Sequence, residues 1–241
     1  MKKSILLIYL AFSSAAYSQD LYKAKNVIIP GSSQRVGELG VQYANSEYDG
    51  LETTDLYGTM SVPINPYVEL QFGGFIGVTT TPYYNVDDFI NIDLSADIIL
   101  KHEIDFEFET KLVPYIRAGI TWNSISNERI NTVGYDVDYY GDIWEYYYYT
   151  GDSYSDLYGN LSAGVAYWLQ PYLAFSFEFG VWEGLSGDFS DELDGLDLLS
   201  TIFQIQFYVN ERSFVKVFYS YQEIESFEYN SSVGISIGAN F

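Results

Sequence analysis

Residues 232–241, SVGISIGANF, decide how the rest of the chain is read. One parity holds Val233, Ile235, Ile237, Ala239 and Phe241, and the other holds Ser232, Gly234, Ser236, Gly238 and Asn240. A backbone whose side chains alternate between two faces turns that order into one apolar face and one small polar face, as a β-strand does. The division recurs upstream. Leu161, Ala163, Val165, Tyr167 and Leu169 alternate with Asn160, Ser162, Gly164 and Ala166, and Leu173, Phe175, Phe177, Phe179 and Val181 with Ala174, Ser176, Glu178 and Gly180. Ile90, Ile92, Leu94, Ala96, Ile98 and Leu100 alternate with Asn91, Asp93, Ser95, Asp97 and Ile99.

Ten such strands are expected, near residues 35–47, 52–64, 67–80, 88–101, 111–124, 156–169, 171–184, 196–209, 213–224 and 229–241. Each is long enough to cross a bilayer when tilted. Asn65-Pro66, Gln170-Pro171 and Asn210-Glu211-Arg212 supply tight turns at one end. Residues 81–87, 125–155 and 185–195 supply longer connections at the other. Two junctions depart from this pattern: a tight hairpin at Asp49-Gly50 on the long-loop side, and a lengthy one from His102 to Thr110 on the short-turn side.

Alternation alone fits a soluble sandwich as well as a membrane barrel, since both have one apolar face. The other face separates them. Glu69, Gln71, Gly73 and Gly77 interleave with Val68, Leu70, Phe72, Ile76 and Val78, and closing ten strands turns those polar positions into a lumen. Trp122, Trp168, Tyr172, Trp182, Tyr208 and Tyr221 stand near strand ends, where aromatic belts meet the two membrane interfaces. The expected fold is therefore all-β, an antiparallel up-and-down transmembrane β-barrel of 10 strands, with 8 or 12 as the counting errors.

Composition agrees. The 241 residues are 48% hydrophobic and 19% aromatic, too apolar for a disordered chain, and carry 33 acidic against 11 basic side chains. A net charge of -22 argues against nucleic acid, because few Lys and Arg are available to neutralise phosphates. The absence of cysteine excludes disulfides, thiolate metal sites and a lipobox anchor. At the N-terminus, Lys2 and Lys3, the apolar run ILLIYLAF and Ala16-Tyr17-Ser18 have the order of a secretory signal peptide. The apolar run is too short for a spanning helix, which needs about 20 residues. The expected organisation is a signal peptide over 1–18, a periplasmic N-terminal segment over 19–34 and a barrel domain over 35–241.

LVPYIRAGITW at 112–122, NLSAGVAYWLQPYLAFSFEFG at 160–180 and the terminal GISIGANF resemble small outer-membrane β-barrel proteins of Gram-negative bacteria. The resemblance covers the mature chain and implies a location in the bacterial outer membrane. It also implies lipid and lipopolysaccharide as surroundings and recognition of Phe241 by the barrel-assembly machinery. It carries no catalytic motif.

Parity places Glu38, Asp55, Glu69, Asp93, Asp97 and Glu178 in the lumen with Arg117 and Lys216. A hairpin centred near Phe106 would set Arg117 opposite Ser95 and diagonal to Asp93 and Asp97. This makes Asp93, Asp97, Arg117, Glu178 and Lys216 a candidate charge cluster. It serves either as a polar filling that stabilises the barrel or as the lining of a narrow, cation-preferring path.

Tyr139, Tyr140, Tyr146, Tyr147, Tyr148 and Tyr149 form a second candidate, since a tyrosine-rich loop can bind a glycan or protein at low entropic cost. The competing reading is a solvated extension of the flanking strands. Asp188, Asp191, Glu192, Asp194 and Asp197 have the chemistry but not the spacing of an EF-hand calcium loop, so no metal ligand is assigned. The single His102 falls at the short-turn end, and no phosphate loop or nucleophile elbow is present, so neither an enzyme nor a cofactor is expected.

A closed membrane barrel should migrate differently on a gel before and after boiling, and should be found in the outer-membrane fraction. Recovery as a soluble protein with no such shift would favour the sandwich.

Overall fold

A computed structural model describes residues 27–46, 52–80, 89–106, 110–126, 130–137, 143–150, 153–169, 172–187, 198–224 and 228–241. The described residues contain strands and no helix. In chain order the strands are β1 Val36–Ser46, β2 Glu52–Asn65, β3 Val68–Thr80, β4 Phe89–Lys101, β5 Ile104–Phe106, β6 Thr110–Ser126, β7 Ile130–Val137, β8 Ile143–Thr150, β9 Ser153–Leu169, β10 Leu173–Gly187, β11 Leu198–Tyr208, β12 Ser213–Ile224 and β13 Glu228–Asn240.

Ten of them pair with their neighbours in an antiparallel ring. The ring runs β4-β3-β2-β1-β13-β12-β11-β10-β9-β6 and closes through β4 and β6. The seam between the first and last strands runs from Val36 opposite Asn240 to Ser46 opposite Asn230. All ten expected strands are present. β5 extends the β4–β6 hairpin, and β7 and β8 form a separate two-stranded sheet between β6 and β9.

The stagger follows from the register. A walk across paired residues goes from Lys111 through Trp168, Ala174, Gln206, Lys216, Ser236, Gly40, Tyr57, Phe75 and Asp93 to Asn123, back on β6 but 12 residues further along. For ten strands at ordinary spacing this corresponds to a tilt of roughly 40° and a Cα radius of about 10 Å. Such a lumen is narrow enough for long side chains from opposite walls to meet.

The barrel is apolar outside and polar inside. Among the described residues 31 buried side chains are polar or charged against 18 hydrophobic ones, while 39 large apolar side chains are exposed. On β4, Ile90, Ile92, Leu94, Ile98 and Leu100 face outward, and Asn91, Asp93, Ser95, Asp97 and Lys101 are buried inside. A soluble sandwich would bury the first set. Hydrocarbon solvent accommodates this pattern, because the closed ring leaves no unpaired strand edge within the wall.

Inward glycines make room for inward rings. Tyr57, Tyr115, Phe214 and Phe218 lie directly across the ladder from Gly40, Gly164, Gly238 and Gly234, and a Cβ on any of these glycines would run into the opposing ring. Tyr57 and Phe218 meet edge-on with centroids 6.0 Å apart, and Tyr57 and Phe75 are 5.7 Å apart.

Three strand-end aromatics correct the belt assignment. Trp122 and Tyr221 have outward parity and Tyr172 is exposed in the turn before β10, but Trp168 and Trp182 are buried and Tyr208 packs inside against Trp168 and Phe214. Trp168 shares its parity with Asn160, Ser162 and Ala166, and the strand pleat sends all of them to the lumen.

Replacing Gly234 with alanine should force the Phe218 ring to move and cost about 1–3 kcal/mol, seen as a lower temperature for the gel-mobility shift. Outward Gly58, whose Cβ would press on the flexible end of Leu39 and otherwise make an ordinary contact with the Glu38 carbonyl, should tolerate alanine with little change.

Candidate functional site

The lumen contains two separate ion-pair centres and a network at one mouth. Arg117 on β6 and Glu178 on β10 flank β9, and the guanidinium donates from Nη2 and Nε to Glu178 Oε1, the latter at 3.1 Å. Its Nη1 lies 3.7 Å from Asp97 Oδ1 on β4. Gly119, directly across from Asp97, leaves the space that this carboxylate occupies. Tyr115 donates to the second oxygen of Glu178 at 2.9 Å, and Asn160 to Asp97 at 3.3 Å. Arg117 is 1% exposed, so its charge is balanced by these carboxylates rather than by bulk water.

Lys216 on β12 stands apart. Its ammonium donates to Glu38 on β1 at 2.6 Å and to the Val27 carbonyl at 2.8 Å. The expected five-residue cluster is thus corrected. Arg117, Asp97 and Glu178 meet, Lys216 pairs with Glu38 instead, and Asp93 accepts from Asn123. The cause lies in register. Arg117 pairs with Ile99 rather than Ser95, because β5 continues the hairpin and moves its turn beyond Phe106, which pairs with Thr110. Asp97 remains diagonal to Arg117, whereas Asp93 moves away along the strand.

Near the chain termini, Lys101 lies 3.2 Å from Glu69 and 3.4 Å from Glu103, and Lys111 lies 3.1 Å from Glu103. Both lysines are buried. Neither is among the lumen residues expected from sequence, although Lys101 shares the parity of Asp97, and Lys111 that of Arg117. Asp156, also buried, escapes the sequence reading in the same way. Register places Asp55, Asp93 and Asp156 toward the long-loop end, whereas the four buried cations lie from mid-barrel to the termini end.

Residues 27–31 are inside the barrel. The expected periplasmic segment, 19–34, precedes the wall, but Val27, Ile28 and Ile29 are almost completely buried and Gly31 lies against Trp168 and Val113. The apolar triplet and the lumen's polar side chains together account for this placement. Residues 19–26 lie outside the described residues.

Among the tyrosine candidates, Tyr146, Tyr147, Tyr148 and Tyr149 are on β8, opposite Gly134, Val133, Thr132 and Asn131 of β7. Tyr139 and Tyr140 lie outside the described residues, as do Asp188, Asp191, Glu192, Asp194 and Asp197. His102 is exposed and stacks on Tyr67, with centroids 6.4 Å apart. No group of three or more potential metal ligands occurs among the described residues.

No protein-family model matches the chain, and no curated protein does. Solved structures similar to it include the outer membrane protease OmpT from Escherichia coli, at 10% identity over 90% of this chain and 99% of that one, with a TM-score of 0.47. An outer membrane channel from Pseudomonas putida F1 has 9% identity over 91% and 100%, with a TM-score of 0.48. The translocator domain of the autotransporter NalP from Neisseria meningitidis has 12% identity over 100% and 97%, with a TM-score of 0.44. Likenesses this distant transfer neither activity nor substrate.

Arg117→Met should strand two buried carboxylates and destabilise the barrel by about 3–5 kcal/mol, measured by denaturant unfolding in detergent. Arg117→Met/Glu178→Met should recover part of that loss.

Proposed function

We infer that the protein is an exported outer-membrane barrel without enzymatic activity, acting as a structural element or a narrow, cation-preferring pore. The observation that carries this reading is the inverted distribution of polarity, with an apolar exterior around a charged lumen. Seven buried carboxylates, Glu38, Asp55, Glu69, Asp93, Asp97, Asp156 and Glu178, accompany the four cations Lys101, Lys111, Arg117 and Lys216 among the described residues. An excess of fixed negative charge along a narrow path attracts cations and repels anions. In this reading the end bearing the termini faces the periplasm, and the β7–β8 hairpin faces outward from the cell.

A second reading is surface binding through the tyrosine-rich hairpin. It is supported by β7 and β8 forming a sheet of their own, with four consecutive tyrosines on β8.

In a planar bilayer with a potassium chloride gradient, any current should reverse at a potential showing cation preference. Asp55→Asn/Asp93→Asn should weaken that preference, and anion preference in the unaltered protein would refute the pore reading. Deleting residues 130–150 should spare conductance but abolish attachment to cells or glycan arrays under the second reading.

A further inference from the structure

The lower half of the lumen, toward the chain termini, is built to hold a main chain. Gln71 on β3 clasps both peptide groups of one residue: its Oε1 accepts from Ile28 N at 3.2 Å and its Nε2 donates to Ile28 O at 2.8 Å. Lys216 on β12 donates to Val27 O, Trp168 Nε1 on β9 to Pro30 O at 2.9 Å, and Lys111 on β6 to Gly31 O. Four side chains from four strands thus meet carbonyls that an extended segment presents in any sequence, and all four are at least nine-tenths buried.

Sequence is read by pockets between these ties. Ile28 packs with Val36 and Phe214. Ile29 belongs to a cluster with Ile99, Val113, Tyr115, Ala166, Trp168 and Ala174. Gly31 has a φ of 114°, and a Cβ there would strike Trp168 Nε1 and Val113. The mouth therefore demands glycine after proline for both conformational and steric reasons. Main-chain bonds combined with alternating side-chain pockets are the logic of extended-peptide recognition.

We propose that the lower lumen is a binding site for an extended peptide of the form Ile-Ile-Pro-Gly, filled in cis by residues 27–31 and able to accept a free peptide of the same chemistry when that segment is displaced. The site does not depend on whether the barrel conducts.

The full-length double variant Ile28→Asp/Ile29→Asp should vacate the site, because it puts two carboxylates into the apolar clusters that hold Ile28 and Ile29. A synthetic peptide NVIIPGSS, matching residues 26–33, should then give a saturable change in tryptophan fluorescence that Trp168→Phe removes. The unaltered protein should bind it at least tenfold more weakly, and a peptide with alanine in place of the glycine should not bind. A folded, heat-modifiable variant that shows no saturable change, or that binds no better than the unaltered protein, overturns the proposal.

If that variant does not fold, the natural absence of cysteine permits a second measurement. In full-length protein carrying Ile29→Cys, maleimide labelling should be at least tenfold slower than in protein carrying Ser33→Cys, an exposed position. Adding Gln71→Leu to the Ile29→Cys protein should raise its labelling rate tenfold. Equal rates at the two positions, or no response to Gln71→Leu, overturns the proposal.

Discussion

Every peptide group in the wall must find its partner within the wall, and closure of the ring meets that demand. The seam between β1 and β13 and the junction between β4 and β6 leave no strand edge within the ring. Once closed, the wall has only two faces, and alternation assigns each residue to one of them. The apolar exterior, the polar lumen and the burial of charge follow from that single condition. A stagger of 12 residues then sets a lumen in which an Arg117 guanidinium reaches carboxylates on two other strands.

A lumen this narrow makes electrostatics local. Arg117 and Lys216 occupy different sectors, Arg117 with Asp97 and Glu178 and Lys216 with Glu38, so the interior contains distinct centres rather than one network. Inward aromatic rings share the lumen with these centres, and the opposing glycines admit the rings of Tyr57, Tyr115, Phe214 and Phe218. The excess of carboxylates toward the long-loop end gives the interior a direction along its axis.

Strand positions and facing are legible in the sequence because a period of two is a strong local signal carried by each residue. Register is not, because a slip by an even number of residues preserves every facing. Parity therefore puts Arg117 inside the barrel without revealing that it lies across from Ile99. The same parity contains Lys101, Lys111 and Asp156, which sit near strand ends where the alternation merges into turns and loops. Trp168 has the position of a belt residue, although its parity points inward. Residues 27–31 are the least legible, since they belong to no strand and their placement depends on ties from β3, β6, β9 and β12. The apolar triplet Val27-Ile28-Ile29, in a segment expected to be periplasmic, is the available signal.

Those ties also determine how the molecule bears load. A tension applied at the N-terminal side of Val27 reaches Lys216, Gln71 and Trp168 before it reaches β1. The three anchors stand on separate strands around the circumference, so the pull is shared across the wall instead of peeling the first strand from the last. The contents of the barrel act as a strain relief for its seam.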